Sequence, residues 1–283
     1  MEKKKDLSLL NCIGTALLAY LLTGPVHELY HLITDLIYGN KLIWFTSGAV
    51  LAEPFTDYNT LSPFDRIMVA GGSASIVNAI IAIILIILLV KVRNMNATLK
   101  VFLIQYTAAQ ISQGMGYFMV GGFFGVGDWG NVFSYFEDSP ETITVMRIIL
   151  SVIGAASIVF EMFLLNYFTY DFVKDPSDKK ERTAVAAKLH LSMFIVCVAL
   201  NFITSIPSPA LADGYLTWGF IALFALMWIP FFWGFMFTSV MVKPPKQSRF
   251  RSSLPGKPNI VLLIIGVALL VFDLVVLGPG IKF

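Results

Sequence analysis

Ala79-Ile80-Ile81-Ala82-Ile83-Ile84-Leu85-Ile86-Ile87-Leu88-Leu89-Val90 carries no polar side chain. Extended to residues 66–92, this run exceeds the roughly 20 apolar residues that a helix needs to cross the hydrocarbon core of a bilayer. The same reading applies to residues 8–37, 98–124, 142–170, 184–205, 215–241 and 259–278, which makes seven candidate spans. Composition agrees. Of the 283 residues, 57% are hydrophobic and 13% charged, and the mean hydropathy is +0.77. A water-soluble domain carries about 25% charged residues. The expected fold is therefore an all-α integral membrane protein, one polytopic domain over residues 1–283. Its core is placed at about 8–135, with additional helices over about 142–278. The expected partner is the lipid bilayer, with no nucleic acid.

Outward from the second span, the loop Gly39–Asp65 contains KLIWFTSGAVL at residues 41–51. Its β-branched and aromatic content predicts a short strand or hairpin at the membrane surface. Upstream, Lys3, Lys4 and Lys5 precede the first apolar run, as in a signal peptide. That run continues past the usual signal length and into residue 27, so it reads as a retained helix, kinked near Gly24-Pro25. Lys and Arg set the orientation. With the N-terminus cytoplasmic, 16 of the 20 basic residues fall on the cytoplasmic side and 4 (Lys41, Arg66, Arg147, Lys282) on the other. This asymmetry predicts N-terminus in and C-terminus out.

The first span ends in His27-Glu28-Leu29-Tyr30-His31. Residues four apart share a helix face, so both imidazoles point the same way, in the geometry that grips one Zn²⁺. Glu28 stands beside them as the base that takes a proton from water. The chain contains three His in all, and two of them make this pair. The plainer reading is two histidines near a membrane interface.

A catalytic zinc takes three protein ligands and keeps an open position. The first and third spans both run outwards, so Asp128, just past residue 124, reaches the depth of His27 and His31. Asp128 is the expected third ligand; its alternative reading is a turn residue in Gly-Asp-Trp-Gly. Glu161 and Asp273 are the competing third ligands. Glu161 sits towards the cytoplasmic end of the fourth span, whereas Asp273 has a suitable depth in the last. Asp35, four residues after His31, is a candidate to orient that imidazole, and Asn78 is a buried amide that either faces the site or ties helices together. His190 reads as structural. Cys12 and Cys197 lie in apolar runs without metal-ligand spacing. Gly121, Gly122, Gly125 and Gly127 suggest a mobile, hydrated mouth.

Over about residues 15–131 the chain resembles the site-2 protease family of intramembrane zinc metalloproteases. The likeness rests on HELYH late in an early span, on Ala70-Gly71-Gly72-Ser73-Ala74-Ser75-Ile76-Val77-Asn78, and on a later span that ends in Asp128. The resemblance implies Zn²⁺ as cofactor and cleavage of a substrate's transmembrane segment within the bilayer. In two respects the chain departs from the family pattern. The segment before Asp128-Trp129-Gly130 is Gly/Phe-rich where the family carries Asn and prolines, and the charge count places the site on the outer side. A reading of a different class is a non-catalytic polytopic protein, a transporter or assembly factor, with a structural metal or none.

Overall fold

A computed structural model describes residues 7–53, 57, 60–92, 95–240 and 258–283. The basic residues Lys3–Lys5, Arg93 and those of 243–257, used above for orientation, lie outside the described residues. Helical residues make up 78% of the structure, and the described residues include three short strands. We number the helices α1 (Leu9–Ile37), α2 (Pro63–Lys91), α3 (97–124), α4 (Gly127–Ser134), α5 (Pro140–Thr169), α6 (Lys179–Ser205), α7 (Trp218–Val240) and α8 (Ile260–Leu277). Strands β1 (Lys41–Phe45), β2 (Val50–Glu53) and β3 (Ile281–Lys282) form one antiparallel sheet in the order β2-β1-β3.

Local chemistry sets the helix starts. Ser62 caps α2: its Oγ accepts from Asp65 N at 3.2 Å and donates to Asp65 Oδ2 at 2.6 Å, with Pro63 at the first helical position. This cap moves the start to Pro63, ahead of the residue 66 expected from hydropathy. Asp178 likewise starts α6 at Lys179 rather than at 184, and Thr217 starts α7 at Trp218. Hydropathy marks where the chain is apolar, whereas caps mark where the helix begins. Helix α1 runs unbroken through Pro25.

Among the described residues, six helices are long and apolar enough to cross a membrane: α1, α2, α5, α6, α7 and α8. The expected seventh, α3, is a continuous helix of similar length but falls outside that set. Gln105, Gln110, Ser112 and Gln113 interrupt its apolar character. The reason is its position. Helix α3 packs against α1, α2 and α5, and most of its side chains are buried within the protein. A helix with no lipid-facing side has no need of apolar residues all round. Gln105 Nε2, for instance, donates to the carbonyls of Cys12 and Leu189 at 3.3 and 3.1 Å.

The outer helices show the complementary pattern. Ile80, Ile83, Ile84 and Ile87 on α2 are exposed, as are Val145, Ile148, Ile149 and Val152 on α5 and Val261, Ile264 and Ile265 on α8. Their spacing of three and four paints one apolar face per helix, the face a bilayer covers. The main core lies between α1, α3, α5, α6 and α7, around Cys12, Ala16, Ala108, Phe168, Met193, Cys197 and Phe231. Towards one end of it, Lys100 Nζ meets Asp171 Oδ2 at 2.5 Å.

The sheet forms where the sequence places it, with an addition. Strands β1 and β2 pair from Lys41↔Glu53 to Phe45↔Val50 around a bulge between Leu42 and Trp44. Thr46 closes the turn, its N and its Oγ both donating to Ala49 O at 2.9 Å. The C-terminal strand β3 then pairs with β1 at Trp44 and Phe45. At the opposite end, Asn259 N donates to Asn11 Oδ1 at 2.7 Å. Helices α1 and α8 are thus parallel neighbours held together at both ends. The hairpin turn leans on α1: a Cβ at Gly24 would lie 2.7 Å from Ser47 O. Glycine is required there because the two backbones touch.

Candidate metal centre

His27 and His31 project from α1 towards a site bounded by α2, α3 and α4. Helix α2 does not pass this point straight. It makes a wide turn at Met68–Gly72, where Gly71 adopts φ 129°. Helix α3 makes a second wide turn at Ser112–Gly116, and the chain then reverses at Gly125 (φ 67°) into α4. Asp128 thereby stands in the first turn of a separate short helix, outside the six spans. It packs against Gly71: a Cβ at Gly71 would lie 2.7 Å from Asp128 Cβ. Thr34 Oγ1 and Ser73 Oγ, 3.1 Å apart, tie α1 to α2 close by.

Three ligand-type atoms converge. His27 Nε2 lies 3.1 Å and His31 Nε2 3.2 Å from Asp128 Oδ2, and the two nitrogens are 3.3 Å apart. A tetrahedral ion with bonds of about 2.0–2.1 Å separates its ligand atoms by about 3.3–3.5 Å. The observed triangle is within a few tenths of an ångström of one face of such a tetrahedron. All three residues are largely enclosed, His27 at 1% side-chain exposure, His31 at 13% and Asp128 at 14%.

Hydrogen bonds orient the first imidazole. Asn78 Nδ2 donates to Gln110 Oε1 at 2.5 Å, which turns Asn78 Oδ1 towards His27 Nδ1 at 2.8 Å. His27 Nδ1 then donates to that oxygen, which fixes the ring with its Nε2 facing the Asp128 carboxylate. At 3.1 Å the Nε2 and Oδ2 atoms share a cation, either a proton or a metal ion. Burial alone would raise the Asp128 carboxyl, but the neighbouring imidazoles, His31 foremost, bring it well below the usual carboxylate range.

Glu28 is buried at 7% exposure but is not one of the three converging groups. It lines a cavity of about 110 Å³ between α1, the hairpin turn, α3, α6, α7 and α8, which Tyr117 and Gln113 also line. The remaining candidates lie apart from the cluster. Asp35 accepts from Asn40 Nδ2 at 2.7 Å, which closes the C-terminal end of α1, and makes no hydrogen bond to His31. Glu161 is buried on α5, where the Ser112 hydroxyl straddles its two oxygens at 3.2 and 3.1 Å. Asp273 lines the cavity without joining the three-residue cluster. His190 is buried with its Nε2 2.5 Å from Thr169 Oγ1. Gly121 and Gly122 are close-packed against Trp129 and Ser151, rather than forming a loose mouth.

Three residues of this site were not anticipated from the sequence. Gln110 fixes the amide of Asn78. Tyr117 lies over His27, ring centroids 5.6 Å apart, with its hydroxyl against Asp128. Gly71 supplies the space that Asp128 fills. A signal for the first two was present: Gln110, Gln113 and Tyr117 are spaced three and four, one polar face on an otherwise apolar helix. The chain matches no protein-family model, no curated protein and no solved structure.

Proposed function

We propose that this protein is a zinc-dependent endopeptidase of the membrane, a divergent relative of the site-2 proteases. The observation that carries this reading is the triangle of His27 Nε2, His31 Nε2 and Asp128 Oδ2 with Glu28 beside it on a cavity. Two nitrogens and one carboxylate oxygen are a donor set that suits Zn²⁺ with a position left open. When bound, Zn²⁺ would supply a Lewis acid that acidifies a water and polarises a peptide carbonyl. The chain's own residues do the rest. Asn78, itself held by Gln110, orients His27 so that its Nε2 lone pair faces the ligand position. Tyr117 packs against Asp128 and His27 and limits their movement. Glu28 takes the proton from the attacking water and returns it to the leaving amine as the peptide C–N bond breaks. The cavity beside Glu28 admits water into an otherwise apolar region. We place the N-terminus in the cytoplasm and the site on the non-cytoplasmic side, from the 16-to-4 distribution of basic residues. The substrate is the transmembrane or interfacial segment of another polypeptide.

Metal analysis of the purified full-length chain tests the reading. Wild type is expected to hold one zinc per chain, Asp128→Ala to lose it, and Glu161→Gln and Asp273→Asn to keep it. Full zinc affinity in Asp128→Ala would overturn the assignment. In the same chelator-competition assay, Asn78→Ala is expected to weaken zinc binding by about 10–100-fold, because the imidazole of His27 is then free to turn. An unchanged affinity would remove Asn78 from the site.

A further inference from the structure

Helix α8 is the most apolar of the six spans, and Asp273 is its one charged residue. Its side chain does not face outwards. Asp273 is 3% exposed, and neither carboxylate oxygen receives a hydrogen bond of ordinary geometry, although the Ser47 hydroxyl of the hairpin turn stands beside it. It begins the wide turn Asp273–Leu277, which departs from regular helix where the residue meets the cavity. Such turns recur at functional positions. An acid buried in a membrane span without a partner is costly, and by default marks a binding role.

The cavity identifies the partner's chemistry. It holds about 110 Å³, and a single water needs about 10–15 Å³ on the same kind of measure, so one extended side chain fits. Among the described residues no Lys, Arg or His lines it, and the two charged ones that do, Glu28 and Asp273, are both acids. Asn201, Thr204 and Ser205 on α6 add polar groups to the wall. Ser47, whose hydroxyl stands beside Asp273, belongs to the turn that touches Gly24, one turn of α1 before Glu28. The proton-transferring residue and the buried acid therefore line neighbouring parts of one cavity.

We propose that Asp273 is a specificity-determining residue that receives a cationic side chain of the substrate, lysine or arginine, in the cavity that leads to Glu28. A guanidinium or ammonium group would satisfy a carboxylate that no cation among the described residues pairs, and the stem would cross the apolar stretch of the cavity wall. This selects substrates with a basic residue close to the cleaved bond. The inference rests on the peptidase reading of the metal site, and the test separates the two.

The full-length protein, zinc-loaded in lipid nanodiscs, is titrated with N-acetyl-arginine amide and with N-acetyl-citrulline amide, its neutral isostere, while the unfolding midpoint is followed. The arginine compound is expected to raise the midpoint and the citrulline compound to leave it unmoved. Asp273→Asn is expected to abolish the arginine effect while zinc content and circular dichroism stay at wild-type values. Equal shifts from both compounds, no shift from either, or an arginine shift that survives in Asp273→Asn would each overturn the inference, and the first two need no variant that might misfold. A library of membrane-spanning peptides is then cleaved by both proteins. Wild type is expected to prefer arginine or lysine over citrulline by about 10²-fold or more in kcat/KM, and Asp273→Asn to lose that preference. Cleavage with no preference for basic residues defeats the inference alone. Asp273-dependent arginine binding with no cleavage of any peptide supports the pocket and defeats the peptidase reading.

Discussion

Glu28→Gln is expected to retain zinc and fold as wild type while losing peptide hydrolysis by about 10²–10⁴-fold or more. The expectation follows from where Glu28 stands. It is one residue beyond His27, so it projects about 100° round α1 from the imidazole face. It contributes no atom to the triangle of His27, His31 and Asp128, and it lines a cavity shared with Gln113 and Tyr117. Glutamine preserves its volume but can neither take a proton from water nor deliver one. Zinc content and cleavage of membrane-spanning peptides, followed by mass spectrometry on the same preparations, decide the matter. Wild-type turnover in Glu28→Gln would remove Glu28 as the base. A wild-type protein that holds zinc but cleaves nothing, and whose biological role survives Glu28→Gln, would favour a scaffold or transport role for the metal.

Gly71→Ala is expected to damage the metal site from a distance in sequence, lowering zinc affinity by at least about 10-fold and costing about 1–3 kcal/mol in stability. Gly71 holds φ 129°, which side chains of L-residues rarely adopt, and a Cβ there would come to 2.7 Å from Asp128 Cβ and 3.1 Å from its Cα and Cγ. At such distances one of the two backbones must shift, and Asp128 stands in the first turn of the short helix α4. Asp128 must therefore move away from His27 and His31. Gly219→Ala, where the added carbon meets nothing nearer than Thr217 at 3.6 Å, serves as the control. Chelator competition and thermal unfolding in detergent measure both effects. Wild-type zinc affinity in Gly71→Ala would show that Asp128 is not held by this contact.

Apolar runs, the positions of His27, Glu28 and His31 on one helix, and the β-prone stretch after α1 were all legible in the sequence. Each depends on local periodicity, and a helix or hairpin obeys local rules. Asp128 was within reach for a related reason. Counting spans gives the membrane depth of a residue, and residues at equal depth are candidates for contact. The same reasoning set Glu161 aside, and in the structure that residue meets Ser112 rather than the histidines. Helix α3 marks the boundary of this logic. Its length reads as a span, but only the packing of α1, α2 and α5 around it explains why it tolerates Gln105, Gln110 and Gln113.

What the sequence determined alone is the membrane class and the helix-borne histidine pair with its acid, because these follow from periodicity and hydropathy. What the tertiary structure decided is which atoms meet. The partner of Asn78, the proximity of Gly71 to Asp128, the ring of Tyr117 over His27, and the enclosure of Asp273 all arise between helices. Their side chains are brought together by the wide turns in α2, α3 and α8, and no local pattern specifies how far such turns rotate one half of a helix against the other.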